Sequence, residues 1–169
     1  RFVYADNAAT TPVSPTVFAA MKPFYTDLYG NPSSLYSVGR EAKKHLELAR
    51  ADVAACLNAE PNEIFFTSGG SEADNWAIKG IAHQLAKKGK KHIITSKFEH
   101  HAVLHTLRRL KEQGFEIQLL DVGAEGNITA AQVEEAIRPD TCLVTVMFAN
   151  NEIGSVLPIA EIGEVCRAH

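Results

Sequence analysis

Apolar positions along this chain switch between two periods. Over residues 37–57, Ala42, Leu46, Ala49, Val53 and then Cys56 or Leu57 recur at spacings of four and three, the single stripe of an amphipathic helix that Asn58 and Pro61 close. From residue 63 onward, short apolar runs at 64–67, 92–96, 115–120 and 142–148 alternate with longer helical patterns. The runs predict four strands, with helices following them at 71–88, 102–113, from Thr129 to before Pro139, and from Pro158 onward. Boundary signals agree. Ser14-Pro15 starts a helix reaching about residue 25, Thr129-Ala-Ala-Gln132 is a capping box, and Gly114 sits at a C′ position. Strands alternating with helices predict an α/β fold, a three-layer αβα sandwich around a mostly parallel sheet.

The stretch Ile64-Phe-Phe-Thr-Ser-Gly-Gly-Ser-Glu-Ala-Asp-Asn75 concentrates the local signals. A short buried strand is expected over 64–67, then a turn at Ser68-Gly69-Gly70, then a helix opened by Ser71-Glu-Ala-Asp74 in the form of a capping box. Free N–H groups and the positive end of the helix dipole attract a phosphate at such a place, and glycines admit close backbone approach. Taken alone, these residues are more simply explained as an ordinary capped turn, since short glycine turns are common.

Composition narrows the classes. The 169 residues carry a net charge of −3, which gives no support to a general nucleic-acid or membrane-surface role. No apolar run is long enough to span a bilayer. The first residues, Arg1-Phe2-Val3-Tyr4, lack both an initiator Met and the apolar core of a signal peptide, so a trimmed start is expected. Three widely spaced cysteines, Cys56, Cys142 and Cys166, predict neither a disulfide framework nor a zinc site. They read as small buried hydrophobes in a reducing compartment such as the cytoplasm. Lys87-Lys88-Gly89-Lys90-Lys91 reads as a solvated helix end.

In a parallel α/β sheet, ligands lie beyond the carboxyl ends of the strands. Three loops there are expected to carry polar groups, at 68–71, 97–101 and 150–152. The first offers the phosphate cradle. The second offers His100 and His101, able to stack on a ring and move protons near neutral pH. The third offers Asn151, an amide suited to a phenolic or carboxylate oxygen. Phosphate, ring and polar substituent fit pyridoxal 5'-phosphate, and they fit a nucleotide too. His101 and His105 share a helical face without a third metal ligand nearby. The loop from Tyr29 to Ser34 is rich in turn residues, either structural or facing a ligand.

The motifs Ala5-Asp-Asn-Ala-Ala-Thr-Thr-Pro12, Gly30-Asn-Pro-Ser-Ser34, Phe66-Thr-Ser-Gly-Gly-Ser-Glu-Ala-Asp-Asn75, Glu99-His100 and Asn150-Asn-Glu-Ile-Gly154 resemble cysteine desulfurases. These are NifS-like class V enzymes of the fold-type I, pyridoxal phosphate-dependent group. The match keeps the family's order and spacing through the whole chain and corresponds to roughly the N-terminal half of the family's protein. The resemblance implies the cofactor's large domain over 14–169, incomplete here, with a lead-in over 1–13 that joins the small domain. It implies that Gly70 and Ser71 hold the cofactor phosphate, that His100 stacks on the pyridine ring and assists proton transfer, and that Asn151 lies near the phenolic oxygen and the substrate carboxylate. Asp6 and Asn7 fall near the site without a role. The implied reaction converts L-cysteine to L-alanine and leaves the sulfur as an enzyme persulfide for iron–sulfur cluster or thio-cofactor assembly. The implied partners are a second copy in a homodimer and a sulfur-acceptor or scaffold protein.

Some family features lack counterparts. Tyr36 stands where the family often has histidine, so that position receives no role. The family's cofactor-bearing lysine, the aspartate at the pyridine nitrogen and the sulfur-accepting cysteine lie beyond the position matching His169. Lys79, Lys97 and Lys111, like the three cysteines, sit outside those motifs. Residues 1–169 alone are therefore expected to be inactive. Another class V enzyme, a selenocysteine lyase or an aminotransferase, is one alternative reading. A non-catalytic scaffold subunit is another.

Overall fold

Strand β1 (His92–Ser96) is the centre of a three-stranded sheet, flanked by β2 (Glu116–Leu120) and β3 (Thr141–Thr145) and parallel to both. β1 and β2 run in unbroken register from His92 opposite Glu116 to Ser96 opposite Leu120. Against β3 the register shifts between His92 and Ile93. These strands belong to a computed structural model that describes all 169 residues as two compact units, Arg1–Phe66 and Thr67–His169.

The sheet lies in the second unit. Successive strand residues point to opposite faces, and Ile93 and Ile94 show what each face meets. Ile93 packs with Ile78 and Ala82 of α4 (Gly70–Ala86) and with Val103, Leu107 and Leu110 of α5 (His101–Glu112). Ile94 packs with Val133 and Ala136 of α6 (Ala130–Ala136) and with Ile162 of α7 (Ile159–Ala168). Both isoleucines are fully buried, each contributing about 1.5–3 kcal/mol of hydrophobic stabilisation. The expected three-layer αβα arrangement is present, and its sheet is wholly parallel. Predicted end signals hold at α6, where Thr129 and Gln132 form the reciprocal capping box, and at Gly114, whose φ of 87° follows the end of α5. Strand β3 ends three residues before the apolar run does, because Met147 and Phe148 already belong to a loop that turns back.

At the amino-terminal edge of the sheet lies a buried polar network. His92 Nδ1 meets Thr141 Oγ1 at 2.8 Å and its Nε2 meets Gln118 Oε1 at 3.0 Å. Thr141 Oγ1 accepts the Arg138 N–H at 2.8 Å, so its own proton is free for Nδ1 and the neutral ring keeps its hydrogen on Nε2. Burial, then the charge of Arg138, holds the His92 imidazole below its ordinary value.

In the first unit, Ser14 Oγ accepts the Val17 N–H at 3.2 Å and opens α1 (Pro15–Met21). The helix expected to about residue 25 is two helices, because Pro23 lacks the N–H that would continue α1, and α2 (Pro23–Thr26) follows. Helix α3 (Ser37–Leu57) ends at Asn58 in the left-handed conformation. Its apolar stripe is only partly covered. Gly39 and Ala54 are buried, whereas Val53 and Leu57 are exposed; within its own unit α3 packs on the short 3-10 turn Pro61–Glu63. A Cβ on Gly39 would stand 2.7 Å from the Asn31 carbonyl oxygen, so the loop of Asn31 to Ser34 lies directly on the start of α3.

Two further expectations are corrected. The run 64–67 is not a strand of the sheet. Ile64 is extended, with φ −97° and ψ 123°, but its carbonyl accepts from the Arg50 guanidinium, and that guanidinium lies 5.0 Å from the centre of the Phe66 ring. Extended, apolar residues make a strand only beside a hydrogen-bonded neighbour. Of the three cysteines, Cys142 alone is buried, while Cys56 and Cys166 are exposed.

Candidate functional site

The glycine turn builds the first part of the site. Helix α4 begins at Gly70, one residue earlier than predicted, with Gly69 as an extended N-cap. The capping box expected between Ser71 and Asp74 does not form. Instead Glu72, in the first turn, accepts from both the backbone N–H and the hydroxyl of Ser68, each at 2.7 Å. These bonds, the backbone one foremost, hold the Glu72 carboxyl below its usual range. The box shifts because a carboxylate at the third helical position already matches the dipole and reaches back over Gly69. The N–H groups of Glu72 and Ala73 bond the Gly69 carbonyl at 3.2 and 3.1 Å. Those of Gly70 and Ser71 are the unsatisfied donors that every helix start leaves. A Cβ added at Gly69 or Gly70 would meet no atom within 4 Å. The backbone there faces open space of the kind a bound anion fills.

His100 is the N-cap of α5. Its Nδ1 accepts the Ala102 N–H at 3.1 Å, so the neutral ring presents Nε2–H outward. One groove is lined by Ser71, Asn75 and Lys79 of α4 and by His100, His101 and His105 at the start of α5. The structure thus brings Ser71 and His100 together. His101 and His105, one helical turn apart, stack at 5.2 Å between ring centres.

Asn151 lies on the loop after β3 and does not line that groove. It is exposed, with its Nδ2 donating to Glu152 Oε1 at 3.1 Å. The loop is closed by its neighbour Asn150, whose Oδ1 accepts the N–H groups of Glu152 and Ile153 at 2.8 and 3.0 Å. The Nδ2 of Asn150 donates to the Phe98 carbonyl at 3.1 Å, which fastens the loop to the one after β1.

Glu99 is the other buried polar group between these loops. Its Oε1 accepts the Ser96 hydroxyl at 2.7 Å and the Met147 N–H at 2.9 Å. Burial, the largest influence, raises its carboxyl above the usual value, and the charge of Asp74 adds to the rise. Glu99 and Asn150 fall inside the Glu99-His100 and Asn150–Gly154 motifs, but those motifs assign roles only to the residues that follow them, and neither residue lies on a periodic apolar face.

Comparison with known proteins identifies the family and the fold. The family model for aminotransferase class V matches residues 3–169. The chain is 57% identical over 165 residues to a cysteine desulfurase IscS of Clostridium botulinum, covering 98% of this chain and 41% of that protein. Among solved structures, a NifS-like protein superposes with a TM-score of 0.92 at 40% identity, covering 96% of this chain and 44% of the other. A structure titled SspA in complex with cysteine also superposes at 0.92, with 45% identity over 98% of this chain and 48% of that one. The chain spans about two-fifths of the length of the curated relatives it matches.

Proposed function

The chain belongs to the aminotransferase class-V family, and from that premise we propose that the protein carrying it is a pyridoxal 5'-phosphate-dependent cysteine desulfurase. Residues 14–169 are then the N-terminal part of the cofactor-binding large domain, and residues 1–13 lead into the small domain. The observation that carries this reading is the joint lining of one groove by Ser71, beside two unsatisfied helix N–H groups, and His100, an outward-facing imidazole. The similarity to cysteine desulfurases supports the substrate.

The residues present fit the cofactor. The Gly70 and Ser71 N–H groups and the Ser71 hydroxyl bind its phosphate, where the helix dipole favours negative charge. The His100 imidazole would stack on its ring and, with Nδ1 engaged by Ala102, would hold or move a proton at Nε2. The Asn151 amide, which stands outside that groove and donates to Glu152, would have to exchange this bond to hydrogen-bond the ring's phenolic oxygen or the substrate carboxylate. Bound there, pyridoxal phosphate supplies an electron sink for bond breaking at L-cysteine.

The overall change breaks the carbon–sulfur bond of L-cysteine and releases L-alanine. The sulfur joins an enzyme thiolate as a persulfide, and the proton of the displaced thiol ends on the alanine methyl group. A homodimer, a sulfur-acceptor or iron–sulfur scaffold partner and a cytoplasmic location complete the proposal. No helix is long and apolar enough to cross a membrane.

The test is to load the full-length protein with pyridoxal phosphate and give it L-cysteine and a reductant. Equimolar alanine and sulfide are expected. Amino-group transfer without sulfide would mark an aminotransferase, turnover of selenocysteine alone a lyase, and failure to bind the cofactor a scaffold.

A further inference from the structure

We infer that Glu99 is a positioning residue that locks the loop carrying Asn151 to the loop carrying His100, so that both serve one substrate. The inference rests on the proposed desulfurase reading for its substrate, and on geometry alone for the lock. Two side-chain bonds cross between these loops, each loop supplying one of the two side chains, and both are donated from the β3 side. Glu99, on the β1 side, accepts the Met147 N–H on the β3 side at 2.9 Å. Asn150, on the β3 side, donates to the Phe98 carbonyl on the β1 side at 3.1 Å. Sliding either loop breaks at least one of them.

The chemistry of Glu99 fits this task better than space filling. A carboxylate only 6% exposed is costly unless hydrogen-bonded, and an apolar side chain would fill the volume without that cost. An acceptor is needed because two donors converge on it, the Ser96 hydroxyl from the end of β1 and the Met147 N–H from beyond the end of β3. Each member of the lock is buried and directly precedes an exposed site residue. Glu99 precedes His100 and Asn150 precedes Asn151. A displacement of about 1 Å between such groups is enough to lower rates ~10²-fold.

The experiment uses the full-length protein and the variants Glu99→Ala and Glu99→Gln. Glutamine keeps a carbonyl oxygen able to accept both donors, and alanine keeps none. In the cofactor-free protein, hydrogen–deuterium exchange over residues 147–151 is expected to rise about tenfold or more in Glu99→Ala. Glu99→Gln should stay near the parent, and α4 should be unchanged in both. In the loaded protein, Glu99→Ala should keep its cofactor content while kcat/KM for cysteine falls ~10²-fold, with rescue by Glu99→Gln. If Glu99→Ala does not fold, Glu99→Met, which fills the space without accepting, takes its place. Unchanged exchange over 147–151 in the alanine or methionine variant would overturn the inference, as would a glutamine variant impaired like them. Failure of the desulfurase reading appears separately, as a parent protein that releases no sulfide from cysteine while the exchange pattern still holds.

Discussion

His100 Nδ1 accepts the backbone N–H of Ala102 at 3.1 Å, so one side chain both caps α5 and offers the outward imidazole of the site. The two duties can be separated. Asparagine is among the best N-caps, whereas alanine there forfeits about 1 kcal/mol. His100→Asn is expected to keep the parent's urea midpoint and to lose ~10²–10⁴-fold in the proton-transfer step. His100→Ala should lose both. Single-turnover kinetics beside urea denaturation checks this, and an active asparagine variant would remove the proton-transfer role.

Gly70 offers a second separation of stability from function. It opens α4 without positive φ, and a Cβ there meets no protein atom. Gly70→Ala should therefore stabilise the cofactor-free protein by about 0.4–1 kcal/mol through the unfolded chain. The same methyl group enters the space assigned to the phosphate, so affinity for pyridoxal phosphate should fall. A cofactor titration with unchanged affinity would count against the cradle.

Two helical glycines should respond oppositely to alanine. Gly80 in α4 has open space where its Cβ would be, and Gly80→Ala should stabilise by about 1 kcal/mol. Gly39 in α3 has the Asn31 carbonyl oxygen 2.7 Å from its would-be Cβ, a backbone contact that cannot swing aside. Gly39→Ala should destabilise by about 1–3 kcal/mol, since overpacking outweighs helix propensity there. Denaturant midpoints of the two variants provide the comparison.

His92 predicts a pH dependence of stability. Burial and Arg138 lower its folded-state value relative to the unfolded ring, so the folded protein holds the ring neutral. For a depressed value, the stabilisation is complete above the unfolded value of about 6.5. It is lost as pH falls toward the lowered folded value, with a slope of at most ~1.4 kcal/mol per pH unit. Below that window the Glu116 and Asp140 carboxylates, held down chiefly by their bonds to Arg138, should extend the acid loss. Urea midpoints between pH 7.5 and 5 check the sign, and His92→Asn should flatten the upper part of the curve.

Elements with a strong internal signal were legible in the sequence. β1 matches its apolar run to the residue, and α6 carries both halves of its capping box in its own four residues. The run 64–67 was not legible, because strand formation depends on a hydrogen-bonded neighbour that no local pattern encodes. The same limit applies to α3, whose stripe predicted a helix correctly but said nothing about what would cover it. At the site, Ser71 and His100 carried recognisable motifs and meet in one groove. Glu99 and Asn150 stand inside two of the motifs, but their role is not legible there, because it lies in contacts about fifty residues away along the chain.

The unequal burial of the three thiols gives the protein a built-in chemical clock. Cys56 is open to a thiol reagent in the native state. Cys142 sits within the core that α4 and α5 form on the sheet, and burial pushes its thiol up, away from the reactive thiolate form. Its modification is therefore expected to lag behind that of Cys56. The delay of Cys142 behind Cys56 reads out how often the packing around β3 loosens while the rest of the molecule stays folded.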